Sequence, residues 1–153
     1  MIKHIKCDIF ESGADVILHQ VNCQGAMNSG VAKQVREKFP KVYESYKNLC
    51  DVYSENKHAL LGKAQLLAID NVRSIGNLFA QENYGYDGKC YTDYDALKEC
   101  LNIVNDCFGN KTIAIPYLMG CARGGGDWNI VYKMIEEIFG DDINILICEC
   151  DRG

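Results

Sequence analysis

The sequence lacks the features that mark several broad classes of protein. It has no run of about 18 apolar residues, so we expect no membrane-spanning helix. Its N-terminal segment, MIKHIKCDIF, has the alternation of a strand and neither the apolar core nor the small-residue cleavage site of a signal peptide. No internal repeat or low-complexity stretch interrupts the chain. We therefore expect one intracellular, cytoplasmic domain spanning residues 1–153, and a monomer.

Metal-ligand and disulfide patterns are also missing. The three histidines have no metal-ligand spacing to one another or to a thiol, so we expect no metal site. The nine cysteines are an odd number and form no Cys-x-x-Cys pair, which favours reduced thiols packed as small hydrophobic groups. We expect no cofactor.

What is present is the composition of a soluble protein with a sizeable core. Of the 153 residues, 48% are hydrophobic and 24% are charged, and only two are proline. The formal charge is −5. This bulk charge gives no support for nucleic-acid binding, although an acidic protein can still bind nucleic acid through a local basic patch.

Apolar periodicity predicts strands that alternate with helices. The predicted strands are 2–7, 15–21, 63–70, 74–81, 111–118 and 143–150, and the predicted helices are 28–50 (broken or kinked at Pro40), 92–108 and 127–139. Thr92 or Asp93 is the expected N-cap of the second helix and Asp127 that of the third. The fold class is therefore α/β, a three-layer sandwich with helices on both faces of a mixed, mostly parallel central sheet.

Two glycine-rich loops each follow a strand and precede a helix. The first lies within HQVNCQGAMNSGVAKQVREKFP, 19–40, and the second within IPYLMGCARGGGDW, 115–128. Glycine lets the backbone approach a ligand closely, and a helix N-terminus supplies free N–H donors and partial positive charge. Neither loop matches the phosphate-loop or dinucleotide fingerprint, and either one alone could be an ordinary turn. Together they predict a nucleotide-diphosphate ligand.

These two loops, with KCDIF and NLFAQENYGYDG, resemble the macrodomain family, the α/β module that binds ADP-ribose. The resemblance covers nearly the whole chain. It is nearest to the branch that holds the terminal ADP-ribose protein glycohydrolase and the yeast-type ADP-ribose 1″-phosphate phosphatase. That branch has a histidine late in the second strand, as at His19, and a Gly-Val/Ile-Ala step, as at residues 30–32.

The resemblance implies which residues bind ADP-ribose. It implies Asp8 and Ile9 at the adenine, and the two loops around the diphosphate and distal ribose. The implied binding residues are Asp8, Ile9, Asn22, Gly25, Ser29, Gly30, Val31, Ala32, Gln81, Leu118, Gly120, Cys121, Ala122, Arg123 and Gly124. The catalytic candidates are Asp127, Asn22 and His19. Their structural alternatives are a helix cap for Asp127, a loop-capping amide for Asn22 and a buried, hydrogen-bonded imidazole for His19.

The sequence departs from the family at its familiar catalytic positions. Ala32 stands where another macrodomain branch has an aspartate. Gln81 and Gly124 stand where the terminal glycohydrolase has a lysine and an aspartate. Asp127 is the nearest carboxylate to the last of these.

The resemblance implies a hydrolase that removes ADP-ribose from modified proteins, through Glu or Asp esters, or from modified nucleic acid. Two alternatives stay open: a non-catalytic reader of ADP-ribose, and an ADP-ribose 1″-phosphate phosphatase. The expected partners are ADP-ribose and ADP-ribosylated macromolecules, with no membrane. Exposed Tyr84 and Tyr86 are expected to close over the distal ribose or contact the modified partner. Arg123 is expected either to pair with a phosphate or to be a solvated arginine of the loop.

Overall fold

A computed structural model describes residues 1–150 as a six-stranded sheet covered on both faces by helices. The elements run in chain order as β1 (Ile2–Lys6), β2 (Val16–Asn22), α1 (Gly30–Lys38), α2 (Pro40–Val52), β3 (Ala64–Ala68), β4 (Ser74–Gln81), α3 (Tyr94–Phe108), β5 (Thr112–Pro116), α4 (Trp128–Ile138) and β6 (Asn144–Glu149). The spatial order of the strands is β1-β6-β5-β2-β4-β3. Every neighbouring pair is parallel except β3 and β4. The predicted mixed, mostly parallel α/β sheet is confirmed.

Alternation along β2 divides the core into two layers. Leu18 faces the apolar side of α3 and α4, whereas Ile17 and Val21 face α1 and α2. Because successive strand residues point to opposite faces, a strand buried on both sides is apolar almost throughout, as VILHQVN is. The same alternation carries His19 to the side of α1 and α2, and Gln20 to the side of α3 and α4.

The predicted break at Pro40 separates two helices. Phe39 lies between α1 and α2 with φ −131° and ψ 70°, and Pro40 begins α2 at a position where its missing N–H has no helical acceptor. Asp93 and Asp127 cap α3 and α4 by accepting hydrogen bonds from the N–H groups of Ala96 and Asn129. The sequence prediction omitted two 3-10 helices, Ile9–Glu11 and Lys57–Leu60.

Among residues 1–150, no helix combines the length and apolarity that crossing a membrane requires.

Candidate functional site

A cavity of about 740 Å³ opens where the parallel strands β2, β5 and β6 end. Ligands of open α/β sheets bind at this edge, outside the carboxyl ends of the strands. Residues of the first loop (residues 23–29) and of the second loop (residues 117–127) both line the cavity. Twelve of the predicted site residues line the cavity: His19, Asn22, Ser29, Gly30, Val31, Ala32, Gln81, Leu118, Gly120, Ala122, Arg123 and Gly124.

The Asn22 amide holds the first loop in shape. Its Oδ1 accepts hydrogen bonds from Gln24 N at 2.9 Å and, at 2.8 Å, from the hydroxyl of Tyr46. Its Nδ2 donates to Ala26 O at 2.9 Å. The Tyr46 hydroxyl also reaches Asn22 O at 2.7 Å, and the tyrosine is wholly buried. Asn22 therefore lies in the cavity wall with both ends of its amide engaged by the protein.

The N-terminus of α1 faces the cavity without a cap. Ser29 is in the N-cap position but makes no side-chain hydrogen bond there. The N–H groups of Gly30, Val31 and Ala32 donate to no acceptor within residues 1–150. Because these three residues line the cavity, their donors and the partial positive charge of the helix end are available to an anion.

The second loop contributes a matching set of donors. The N–H groups of Ala122, Arg123 and Gly124 also have no acceptor within the described residues. Leu118 has a positive φ of 64°, an uncommon conformation for a branched residue. Gly120 has φ 77°, and a Cβ there would lie 2.7 Å from Gln20 Oε1, so both conformation and space require glycine.

Thr92 and Tyr91 fasten the second loop to the segment after β4. The N–H groups of Tyr91 and Thr92 donate to Gly124 O at 2.7 and 3.1 Å, and Thr92 Oγ1 donates to Gly120 O at 2.6 Å. Gln20 Nε2 donates to Thr92 Oγ1 at 2.9 Å and to Gln81 Oε1 at 2.8 Å. These contacts set the backbone of the loop that forms one wall of the cavity.

The cavity wall carries little formal charge. Among residues 1–150, the one carboxylate in the wall is that of Glu149, which is hydrogen-bonded to His4 Nε2 at 2.8 Å. The one lysine or arginine side chain of that range in the wall is Arg123, whose guanidinium lies 4.4 Å from the ring centre of Tyr86. No lysine lines it within residues 1–150, and no three His, Cys, Asp or Glu side chains of that range converge as metal ligands. The donors available to a bound diphosphate are therefore mostly backbone amides.

His19 is a buried, neutral member of the cavity wall. Its Nε2 is paired with Asn77 Oδ1, Asn77 Nδ2 donates to Gln65 Oε1, and Gln65 Nε2 donates to Ser45 O. This chain of donors orients the Asn77 amide and places the imidazole proton on Nε2. Burial lowers the pKa of His19 from 6.5 to about 4, against the smaller opposing effect of the Asn77 hydrogen bond. His19 Nδ1 is an acceptor that has no hydrogen-bond partner among residues 1–150.

Five predicted site residues lie outside the cavity lining. The Asp127 carboxylate is exposed and caps α4, accepting from Asn129 N at 2.9 Å. Asp8 caps the 3-10 helix that follows it, accepting from Phe10 N at 2.9 Å, and the Ile9 side chain is buried in the core. The remaining two residues are Gly25 and Cys121. Local hydrogen bonds thus engage both carboxylates. The cap at Asp127 was predicted from the sequence, whereas the 3-10 helix that Asp8 caps was not.

The sequence did not predict that three further residues support the site, namely Tyr46, Gln20 and Thr92. Tyr46 lies in α2 at a core position, and its hydroxyl partner is 24 residues away. Gln20 in an apolar strand was the available signal, because a buried amide needs partners. Nothing local linked it to Thr92, which is 72 residues further along the chain.

Several curated proteins are similar to the sequence, although no family model matches it. It is 22% identical over 142 residues to a DNA ADP-ribosyl glycohydrolase of Mycobacterium tuberculosis, covering 91% of this chain and 39% of that protein. It is 28% identical to an uncharacterised 17.5 kDa protein of phage T4, covering 97% and 96% of the two chains. Over 68 residues it is 35% identical to the ADP-ribose 1″-phosphate phosphatase of Saccharomyces cerevisiae, covering 43% of this chain and 37% of that enzyme. The chain thus spans about two fifths of the mycobacterial relative.

Solved structures share the fold over almost the full length. A Bacteroides thetaiotaomicron protein of unknown function superposes with a TM-score of 0.84 at 25% identity, covering 97% of this chain and 98% of that one. The macrodomain of Thermus aquaticus DarG gives a TM-score of 0.75 at 21% identity, covering 97% of both chains. Thermosipho africanus DarTG in complex with ADP-ribose gives 0.76 at 22% identity, covering 97% of this chain and 41% of that one.

The sheet order, the two loops around one cavity and these likenesses support the same assignment. The chain has the macrodomain fold.

Proposed function

We propose that this macrodomain binds ADP-ribose in the cavity and hydrolyses the bond that joins it to a modified macromolecule. One observation carries the binding part. The uncapped N-terminus of α1 and the N–H groups of residues 122–124, which have no acceptor within residues 1–150, line the same cavity. Two such sets of donors suit a diphosphate, which carries acceptor oxygens on both phosphorus atoms, and this lets an acidic protein bind an anion with few cations.

The relatives support the choice of ligand. Proteins named DNA ADP-ribosyl glycohydrolase and ADP-ribose 1″-phosphate phosphatase match the sequence, and a structure with the same fold was solved with ADP-ribose bound. A cavity of about 740 Å³ is of the size that holds a dinucleotide-sized ligand.

The proposed reaction is attack of water at C1″ of the distal ribose. The water oxygen forms a bond to C1″, the bond from C1″ to the macromolecule breaks, and the water proton passes to the leaving group. Because no lysine of residues 1–150 lines the cavity and Glu149 is bonded to His4, we propose positioning and electrostatic stabilisation rather than a covalent adduct. His19 Nδ1 is proposed to accept a hydrogen bond from the ribose or from a water.

Asp127 is proposed to act as a helix cap and not as a base. Its carboxylate is exposed and bonded to Asn129 N, and it lies outside the cavity lining. Asparagine caps helices about as well as aspartate. Asp127→Asn therefore removes the charge while keeping the cap, and Asp93→Asn makes the same change at the start of α3, where the capping geometry is similar.

One observation favours a non-catalytic reader as the second candidate. Ala32, Gln81 and Gly124 line the cavity at the positions where the family resemblance expects an acid, a lysine and an acid. A reader would bind ADP-ribose through the same backbone donors and leave the modified macromolecule intact.

The test measures ADP-ribose binding by calorimetry and ADP-ribose release by chromatography. The substrates are a single-stranded oligonucleotide carrying one ADP-ribose on a base and a protein mono-ADP-ribosylated on acidic residues. We expect binding, and release from at least one substrate, by the wild type, Asp127→Asn and Asp93→Asn alike, within about threefold. Loss of release in Asp127→Asn alone, with binding kept, would make Asp127 a catalytic base.

The remaining outcomes separate the alternatives. Binding without release from either substrate would make the protein a reader. Release of inorganic phosphate from ADP-ribose 1″-phosphate, with both macromolecular substrates intact, would make it a phosphatase. Absence of ADP-ribose binding would refute the proposed function altogether.

A further inference from the structure

Charge is distributed unevenly over this acidic chain. Residues 30–63 contain seven Lys and Arg against four Asp and Glu, although the whole chain carries a formal charge of −5. This segment comprises α1, α2 and the turns that follow, and α1 begins in the cavity wall. The basic part of the molecule therefore adjoins the mouth of the proposed site.

Three of these cations contact residues of the first loop. Arg36 Nη1 donates to Asn28 Oδ1 at 3.2 Å, and Lys57 Nζ donates to Gln24 Oε1 at 2.7 Å. The stem of Lys47 lies 3.9 Å from the point where a Cβ on Gly25 would stand. We call Arg36, Lys47 and Lys57 the cationic rim.

No member of the cationic rim forms an ion pair within residues 1–150. The five ion pairs of that range involve other cations, and in each of them the nitrogen lies within 4.0 Å of a carboxylate oxygen. The guanidinium of Arg36 instead lies 4.4 Å from the ring centre of Tyr43. Glu82 and Asp51 lie near Lys57, since all three act on the buried thiols of Cys23 or Cys50. Three cations around one loop, none of them in an ion pair within residues 1–150, nevertheless favour the approach of an anion to the mouth.

Two exposed aromatic side chains stand on the neighbouring loop. Tyr84 is 46% exposed and Tyr86 is 64% exposed, and both line the cavity. Arg123 reaches across from the second loop and lies over the Tyr86 ring. Gln24 connects the rim to these aromatics, since its Oε1 bonds Lys57 and its Nε2 donates to Asn83 Oδ1 at 3.0 Å.

We propose that the cationic rim and the Tyr84–Tyr86 pair form a docking surface for single-stranded nucleic acid. Phosphates of the strand pair with Arg36, Lys47 and Lys57, and unpaired bases stack on the tyrosines. Single strands are bound by this combination of positive charge and stacking surfaces, because every base has a planar face. An acidic protein would pair with the cations but would leave the aromatic faces without a planar partner.

This surface deepens the proposed function, since it rests on that function for the place of ADP-ribose. A strand docked here would present an ADP-ribosylated base to the cavity. Binding of an unmodified strand does not depend on hydrolysis, so the two ideas can fail separately.

The experiment titrates dye-labelled oligothymidylate of twelve nucleotides with the wild type and with the combined variant Arg36→Gln, Lys47→Gln, Lys57→Gln. Fluorescence anisotropy is read at 50 and 200 mM salt. Three phosphate contacts on a single strand give a slope of about −2 in log affinity against log salt, hence a loss of about 20-fold over this range in the wild type. We expect the rim variant to bind weakly at both salts and to lose nearly all of that slope.

A control variant carries the same change of charge elsewhere. Lys98→Gln, Lys111→Gln, Lys133→Gln removes three exposed cations from α3, from the turn before β5 and from α4. We expect this variant to bind the oligonucleotide as the wild type does. Calorimetry with free ADP-ribose should give the rim variant an affinity within about threefold of the wild type. The double variant Tyr84→Ala, Tyr86→Ala should bind the single strand more weakly than the wild type does, but should bind a duplex of the same sequence with unchanged affinity.

Four results would overturn the proposal. The first is that the wild type does not bind the oligonucleotide, and the second is that the control variant loses as much oligonucleotide affinity as the rim variant. The third is that the rim variant loses as much affinity for ADP-ribose as for the oligonucleotide. The fourth is that the wild type binds the single strand and the duplex equally well. The third would mean that the cations serve the diphosphate. Oligonucleotide binding without ADP-ribose binding would uphold the surface and refute the proposed function.

Discussion

The buried imidazole of His19 predicts a loss of stability on mild acidification. His19 is 2% exposed, and burial lowers its pKa from 6.5 to about 4. Between these two values the unfolded chain binds a proton on this residue and the folded chain does not. The free energy of unfolding therefore falls as the pH falls through 6.5 towards 4.

The size of the effect follows from the two pKa values. Linkage gives a loss of about 2 kcal/mol from His19 alone between pH 7 and pH 5. Most carboxylates remain ionised at pH 5, so this range favours the histidine over general acid unfolding. Urea denaturation followed by circular dichroism at the two pH values measures the loss.

The test compares the wild type with His19→Gln. Glutamine retains a donor for Asn77 and cannot titrate, so this variant should lose about 2 kcal/mol less than the wild type between pH 7 and pH 5, whatever its stability at pH 7. His58→Gln, which replaces an exposed histidine, should keep the wild-type loss. An equal loss in the wild type and in His19→Gln would refute the inference that a buried neutral imidazole sets the pH dependence.

Three further predictions concern the cavity wall. Gly30→Ala and Gly13→Ala both place a side chain at positive φ in open space, so each variant should lose about 1 kcal/mol of stability in urea denaturation. Calorimetry should find weaker ADP-ribose binding in Gly30→Ala alone, and equal affinities of the two variants for ADP-ribose would contradict the proposed site. Tyr46→Phe removes the buried hydroxyl from Asn22 and should cost about 1–3 kcal/mol by denaturation, with reduced ADP-ribose affinity; an unchanged stability would deny that contact. Leu118→Gly should be more stable than Leu118→Ala by about 1 kcal/mol, because only glycine relieves the positive φ; the reverse order would argue against a left-handed residue there.

Most of the secondary structure could be predicted because its signals are local. The alternation within VILHQVN, the apolar spacing of α3 and α4, the break at Pro40 and the capping positions of Asp93 and Asp127 all lie within a few residues of the structure that they determine. Strand-loop-helix order also predicted that both glycine-rich loops would meet at one edge of the sheet, since parallel strands end together.

The assignment of side chains within the site needed the tertiary structure. Asp8 is predicted to lie at the adenine, and in the structure one oxygen of its carboxylate caps a 3-10 helix whose formation was not evident from the sequence. The tautomer of His19 depends on Asn77, which is 58 residues away on another strand. The hydrophobic periodicity of one segment carries no information about hydrogen bonds between residues that are distant in the sequence.

The α/β layering, the two loops and the resemblance to macrodomains could be read from the amino-acid sequence, because hydrophobic periodicity, proline, glycine and capping residues act over short distances. Three arrangements became visible only in the folded chain: Tyr46 bonds Asn22, the N-terminus of α1 is uncapped in the cavity wall, and Arg36, Lys47 and Lys57 lie around the first loop. Those arrangements arise when the packing of α1 and α2 on the sheet brings together residues that are distant in the chain.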